Sequence, residues 1–438
     1  MGGVVTSARP IGVVGLWHLG CTVAATWSGM GMTVRAVDFD GSRVAALAGG
    51  QPPVYEPGLA DAIARGLGAG SLAFSADASA IRGCRFVFVA FDTPVGGDDA
   101  SDVEPIASAL RRLRPHLDAD AVVIVSAQLP VGTAAELRSD LKREVPQAEL
   151  VYSPENLRLG EALECYRRPG HIVIGADDRA AGDAVEQLFA PMEAACLRMG
   201  LASAEMAKHG INSFLATSIV FANQLADLCG ASGADFSDVA RAMRHDPRIG
   251  ARAYLSAGIG FSGGTLGRDL RVLEDLDTRR NGSRSPLFGD IWALNQQRVS
   301  IVRRRCEQAL GSLDNRTLAL LGLTYKPGTS TLRRSLPLEV AHDLTAHGAR
   351  LRAYDPKADW NGVPRPDALA VCDSPYDAAA RVDAVVLLTE WPEFRGLDFA
   401  RLRRVMANPV LFDTKDMLAS QHGDLQRLGF TVLTLGRA

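Results

Sequence analysis

Ile11-Gly12-Val13-Val14-Gly15-Leu16-Trp17-His18-Leu19-Gly20 decides how the rest of the chain is read. A short β-branched run meets a glycine, and a second glycine follows five positions later inside a helical pattern. A strand that turns on glycine straight into a helix opens a nucleotide-binding α/β unit. The first and third glycines of a G-x-G-x-x-G fingerprint are Gly15 and Gly20, and Trp17 stands where the second would be. That second glycine ordinarily lets backbone approach a pyrophosphate. Amides at a helix start, here around His18 and Leu19, attract phosphate whatever the side chains, so binding survives if Trp17 points away. The next strand, Thr33-Val34-Arg35-Ala36-Val37, ends at Asp38. A carboxylate there accepts from the adenosine ribose hydroxyls and repels a 2′-phosphate, so NAD is expected rather than NADP. Arg43, just beyond, joins the expected cofactor set, as do Thr93 and Gln128.

The rhythm continues with Phe86-Val87-Phe88-Val89, Val122-Val123-Ile124-Val125 and His171-Ile172-Val173-Ile174, as in a buried parallel sheet with crossover helices. From about Ser203 to Arg244 it gives way to a helical stretch, with Phe214, Ile219, Phe221, Leu225 and Leu228 at helix-like spacing. A Gly-rich loop is expected from Gly258 to Gly267, then a second helical stretch from about Leu287 to Leu310. After Gly311 strands return: Thr317-Leu318-Ala319-Leu320-Leu321, Arg350-Leu351-Arg352-Ala353-Tyr354, Ala384-Val385-Val386-Leu387-Leu388 and Val410-Leu411-Phe412. The expected fold is α/β, two Rossmann-like open parallel-sheet domains joined by a central helical domain. The divisions fall at residues 1–200, 201–312 and 313–438.

The 438 residues exceed one ordinary core, since a domain takes about 150. With 47% hydrophobic and 22% charged residues and a net charge of −3, the composition is that of a soluble globular enzyme. No basic excess points to nucleic acid. No uninterrupted apolar run approaches the roughly 18 residues of a membrane span. The N-terminal residues lack a charged segment ahead of a long apolar run, so a cytoplasmic location is expected. Seven scattered cysteines, never as Cys-x-x-Cys, suit reduced thiols better than disulfides or a metal site.

Further segments carry a resemblance. They are Tyr55-Glu56-Pro57-Gly58-Leu59, Thr93-Pro94, Pro130-Val131-Gly132-Thr133, Ser153-Pro154-Glu155-Asn156-Leu157-Arg158 and Glu205-Met206-Ala207-Lys208-His209-Gly210-Ile211-Asn212. Asp246-Pro247-Arg248-Ile249-Gly250, Gly260-Phe261-Ser262-Gly263-Gly264, Gly322-Leu323-Thr324-Tyr325-Lys326-Pro327, Leu388-Thr389-Glu390-Trp391 and Phe412-Asp413-Thr414-Lys415 continue it. In content and order they resemble the UDP-glucose/GDP-mannose (nucleotide-sugar) 6-dehydrogenase family, from about residue 11 to 416. The resemblance implies NAD-dependent oxidation of the C6 primary alcohol of a nucleotide sugar, UDP-glucose or a similar UDP-hexose, for polysaccharide or glycoconjugate synthesis.

Hydride removal from an alcohol needs a group that takes the hydroxyl proton and holds the developing oxyanion. Lys208 and Asn212, four apart, share one face of a helix. By resemblance they are the family's lysine and asparagine, Glu155 is its water-handling glutamate, and Asp269 orients groups around the reacting carbon. Gln128 stands where the family has threonine. It orients water but relays no hydroxyl proton. The family's G-F-G-G-S-C-F-x-K-D reads Gly260-Phe261-Ser262-Gly263-Gly264-Thr265-Leu266-Gly267-Arg268-Asp269 here, so the nucleophilic cysteine is replaced by Thr265. A thiol ionises readily, and its thiolate forms the thioester that permits a second oxidation. A threonine hydroxyl has no comparable ionisation. Three outcomes stay open: release of the aldehyde, oxidation of its hydrate by Glu155-positioned water, or a non-catalytic nucleotide-sugar-binding paralogue.

The resemblance also implies substrate contacts from Glu155, Leu157, Arg158, Lys208, Asn212, Tyr254, Leu255, Gly260, Lys326, Arg333 and Lys415. Guanidinium forks and ammonium groups suit the diphosphate. Arg248 is the family residue that reaches a neighbouring subunit's site, which implies a homodimer.

Overall fold

The computed structural model describes residues 9–91, 102–155, 157–262, 264–284 and 286–437. The chain divides into two compact units, Met1–Ile211 and Asn212–Ala438.

The first unit is built on eight strands: β1 (Ile11–Val14), β2 (Val34–Val37), β3 (Leu72–Ser75), β4 (Phe86–Val89), β5 (Val122–Val125), β6 (Glu149–Tyr152), β7 (Ile172–Gly175) and β8 (Cys196–Met199). Their order is β3-β2-β1-β4-β5-β6-β7-β8, with β1 between β2 and β4 at the point where the winding reverses. β1, β4 and β5 are wholly buried, which is why they read as unbroken apolar runs rather than alternating ones. The sheet departs from the expected parallel pattern at one joint, where β7 meets β6 antiparallel. The link between them contains only the six-residue helix Ala162–Arg167, about 9 Å long, too short to carry the chain back along the sheet.

The turn after β1 explains its glycines. Gly15 has φ +91°, and a Cβ there would meet the Phe91 ring at 2.9 Å. A Cβ on Gly20 would lie 1.7 Å from the Gly15 carbonyl oxygen, so the helix His18–Gly29 rests directly on the turn. Trp17 has φ −83°, a conformation open to any residue, and glycine is not required there.

The helix Leu201–Ser232 begins in the first unit and ends in the second. The helical stretch expected to reach Arg244 breaks at Gly233 (φ +78°). It resumes as Phe236–His245, whose first turn is capped by Asp235 through the Ser237 amide at 2.7 Å. Ala216, Val220, Ala222 and Ala226 of the long helix are core residues of the second unit. Its other side leaves Phe214, Phe221 and Leu228, seven residues apart, at 73%, 51% and 65% exposure. In length and apolar content this helix alone, among the described residues, would also suit a membrane span. The Gly-rich loop is shorter than expected. The helix Gly264–Asn281 starts inside it and takes Thr265, Leu266 and Gly267 into its first turn. The later stretch is two helices, Pro286–Gln297 and Ile301–Leu310, joined by a single 3₁₀ turn.

The second unit's sheet contains β9 (Thr317–Leu321), β10 (Arg350–Tyr354), β11 (Leu369–Val371), β12 (Ala384–Leu387), β13 (Val410–Asp413) and β14 (Thr431–Thr434). All pairs are parallel, in the order β11-β10-β9-β12-β13-β14, the order of the first six strands of the other sheet. The first turn is repeated as well. Gly322 has φ +87°, and the Leu323 amide donates to Asp355 Oδ2 at 2.7 Å, as the Leu16 amide donates to Asp38 Oδ2 at 2.6 Å.

Candidate active site

In the first unit the β1 turn and the end of β2 assemble the expected dinucleotide berth. Asp38 is buried; its Oδ2 accepts from Leu16 N–H and from Arg43 Nη1 at 2.9 Å, and its Oδ1 accepts from the Asp40 amide at 2.9 Å. His18 and Leu19 open the helix behind Gly15, where amides have no partner in the preceding turn. These residues fit a dinucleotide: the glycines close the turn, the helix start faces phosphate, and the acid sits at the ribose position. Trp17 is 39% exposed, with the Arg43 guanidinium 5.3 Å from its ring centroid. Thr93 lies outside the described residues.

His18 does more than open the helix. Its Nε2 meets Glu56 Oε2 at 2.7 Å, and the same carboxylate accepts from the Gly160 and Ala162 amides at 2.8 and 2.9 Å. Burial opposes the Glu56 charge, yet the bonds from His18, Gly160 and Ala162 outweigh it and hold the carboxyl below its ordinary range. Glu56 thereby ties the glycine turn to the loop that follows Glu155. Removing the carboxylate would strand two loop amides, each costing about 1–3 kcal/mol.

That loop carries the next group. Lys208, only 5% exposed, donates from Nζ to the Glu155 backbone carbonyl, while the Glu155 carboxylate accepts from the Leu157 amide. A cavity of about 340 Å³ opens here, lined by Glu155, Leu157, Arg158, Ser126, Tyr166 and His171 among others. Arg158 points outward, 3.7 Å from Glu161. Gln128 is buried on the neighbouring loop, which two residues of the long helix fasten. Glu205 accepts from the Gly132 and Ala134 amides, both at 2.7 Å, and His209 Nε2 meets the Leu129 carbonyl at 2.9 Å. Burial raises the Glu205 carboxyl above its ordinary value despite those two amides. Glu56, Glu205 and His209 drew no role from sequence. A buried acid within a turn motif was the one signal available.

The second unit pairs Asn212 with Asp269: the amide Nδ2 donates to Asp269 Oδ2, and both residues are buried. Thr265 is exposed in the first turn of Gly264–Asn281, three residues before buried Arg268. The preceding loop is fixed by polar groups that sequence did not single out. Asn223 Oδ1 takes the Gly258 amide at 2.8 Å, Asn295 brackets Phe261 at 2.9 and 3.0 Å, and Arg298 Nε donates to the Gly258 carbonyl at 2.9 Å. Gly260 (φ +110°) admits no side chain, because a Cβ would fall 2.6 Å from Asn295 Oδ1.

Around that loop lies a cavity of about 510 Å³. Four of the expected substrate residues line it: Tyr254, Gly260, Lys326 and Lys415. Arg395 adds a cation to the wall that sequence missed. Arg333 is exposed and is not among the cavity's lining residues. The Leu255 side chain packs with Ala222, Ala226 and Phe236, and Arg248, expected at a neighbouring subunit's site, is held by Asp246 at 3.0 and 2.7 Å. Asp413, Asp416 and His422 gather nearby, but Arg437 bonds Asp416 and His422 at 3.3 and 3.1 Å. Asp413 accepts the Lys415 and Leu418 amides.

The sequence matches family models in three consecutive segments, all of the UDP-glucose/GDP-mannose dehydrogenase family: the NAD binding domain over residues 9–193, the central domain over 202–297 and the UDP binding domain over 319–420. UDP-glucose 6-dehydrogenase of Pseudomonas aeruginosa is 35% identical, over 97% of each chain. That of Rhizobium meliloti is 33% identical, over 98% of this chain and 99% of the other. Among solved structures, a UDP-glucose dehydrogenase from Pyrobaculum islandicum superposes with a TM-score of 0.86 at 29% identity, over 95% of this chain and 96% of that one. With its family models matched in sequence from residue 9 to 420 and relatives at 35% and 33% identity along nearly the whole length, the chain belongs to the UDP-glucose/GDP-mannose dehydrogenase family.

Proposed function

We propose that this chain oxidises the C6 primary alcohol of a UDP-hexose such as UDP-glucose and releases the aldehyde after one hydride transfer. It is an NAD-dependent oxidoreductase acting on CH–OH, and its substrate is a UDP-sugar. Bound NAD supplies the hydride acceptor. The observation that carries the reading is the buried Lys208 amine held on the Glu155 carbonyl.

Lys208 takes the alcohol proton and then, as a cation, balances the charge on oxygen. By resemblance Asn212, whose amide donates to Asp269, is the family's asparagine for this step. Lys326, Lys415 and Arg395 in the 510 Å³ cavity suit the diphosphate. The balance of this step is RCH2OH + NAD⁺ → RCHO + NADH + H⁺. Continuing to the acid would normally need a thiolate, and position 265 is threonine. Among the described residues no base is hydrogen-bonded to its hydroxyl.

A second reading rests on Glu155 at the 340 Å³ cavity. The aldehyde adds water there, and the hydrate loses a second hydride and a proton to give the acid. One experiment separates the two. Incubation with UDP-glucose and excess NAD is expected to yield about one NADH per sugar and an aldehyde by mass, following from the absent thiol. A yield of two with the uronic acid would replace the first reading by the second.

The three matched segments support domains at 1–200, 201–312 and 313–438. No disulfide joins the seven cysteines, which supports a cytoplasmic setting. The stripe of Phe214, Phe221 and Leu228 supports a homodimer built on the long helix. Sedimentation at micromolar concentration is expected to show a dimer that Phe214→Asp dissociates. A monomer in the unaltered protein would refute this assembly.

A further inference from the structure

We infer that Trp17 sets the dinucleotide selectivity of this enzyme by pinning Arg43. The berth holds two residues with opposite preferences. An acid at the end of the second strand selects an unmodified ribose, whereas an arginine beside it accommodates a 2′-phosphate. Asp38 is the acid and Arg43 is that arginine, so selectivity depends on whether the guanidinium is free.

It is committed on three sides. Nη1 bonds Asp38 Oδ2 at 2.9 Å, Nη2 lies 3.6 Å from Asp40 Oδ2, and Cζ lies over the Trp17 ring, 5.3 Å from its centroid. Asp40 is itself fixed as the cap of the helix Gly41–Ala48, where it accepts the Ser42 amide at 2.9 Å. The guanidinium is therefore held by two carboxylates and an aromatic ring. Such a face attracts a cation and favours the planar guanidinium in particular.

Glycine, the usual residue at position 17, would leave the outer face of Arg43 open to a phosphate. The backbone at Trp17 does not demand glycine, so the indole occupies the position without distorting the turn. Its contact with Arg43, which bonds Asp38, sets it beside the ribose end of the berth. The indole thus does by cover what a longer acidic loop would do by charge: it keeps a cation in the site from recruiting the 2′-phosphate of NADP.

The inference rests on the dinucleotide being held at the β1 turn. Calorimetric titration of the intact protein with NAD and NADP, without sugar, tests it independently of turnover. Trp17→Ala is expected to tighten NADP binding about two- to fivefold relative to NAD, the size of a lost cation–π contact at a part-exposed site. The gain should be salt-dependent and should vanish in Trp17→Ala/Arg43→Ala. Trp17→Leu, which keeps apolar bulk but has no π face, should show the same relative gain and guards against a folding defect in the alanine variant. An unchanged NAD-to-NADP ratio would overturn the inference. So would a gain that persists without Arg43, or equal tightening of both dinucleotides, which would make the indole a mere obstruction. Failure of the unaltered protein to bind either dinucleotide would remove the berth itself, and the inference with it.

Discussion

Lys208→Met is expected to lower kcat/KM for the UDP-sugar by about a thousandfold, almost entirely through kcat, because a positioned proton acceptor and an oxyanion partner each contribute about 10²–10³. Lys208 is buried and bonds the Glu155 carbonyl from within its own unit, so the loop it touches remains fastened by Glu56 through Gly160 and Ala162. Methionine keeps the apolar stem and removes only the amine. Steady-state kinetics with NADH absorbance, together with calorimetric NAD affinity, check this. A kcat within tenfold of the parent at unchanged stability would remove Lys208 from the chemistry. A matched fall in NAD affinity would instead make it a structural residue.

Thr265→Cys is expected to restore the second oxidation. Position 265 is solvent-exposed in the first turn of an 18-residue helix, and helix starts lower thiol pKa values toward the thiolate. Addition of the thiolate to the aldehyde gives a thiohemiacetal; loss of hydride to a second NAD gives the thioester and the second NADH, and water then releases the acid and regenerates the thiol. The variant should therefore form about two NADH per sugar where the parent forms about one, with the second step at least about 100-fold faster. Iodoacetamide should abolish the second NADH in the variant and leave the parent unaffected. Identical stoichiometry and product in parent and variant would show that replacing this residue is not what limits the reaction.

Much of this architecture was legible because its central strands are buried on both faces. Ile11–Val14, Phe86–Val89, Val122–Val125 and Thr317–Leu321 announce themselves as apolar runs. The strands that escaped notice are mostly marginal. β3, β8, β11 and β14 are sheet edges carrying exposed or polar positions, and β6 begins with a glutamate. The reversal at β7 left no trace in hydrophobic pattern, because strand direction is set by the length and course of a connection. At the site, the roles proposed for Lys208, Asn212, Glu155 and Asp269 came from the family resemblance rather than from pattern alone. The fasteners were not legible: Glu56, Glu205, Asn223, Asn295 and Arg298 act through backbone groups distant in sequence, and pattern reading is blind to such partners.

The twin turns after β1 and β9 have met different fates. Asp355 Oδ2 serves the Leu323 and Thr324 amides, the Thr324 hydroxyl and the Trp391 indole at 2.7–3.2 Å. Among the described residues Asp38 answers to backbone and to one arginine, and retains acceptor capacity for a visitor. One carboxylate has become a rivet and its counterpart a receptor, so an acid at the tip of a second strand reads sugar hydroxyls only while its neighbours leave it hungry.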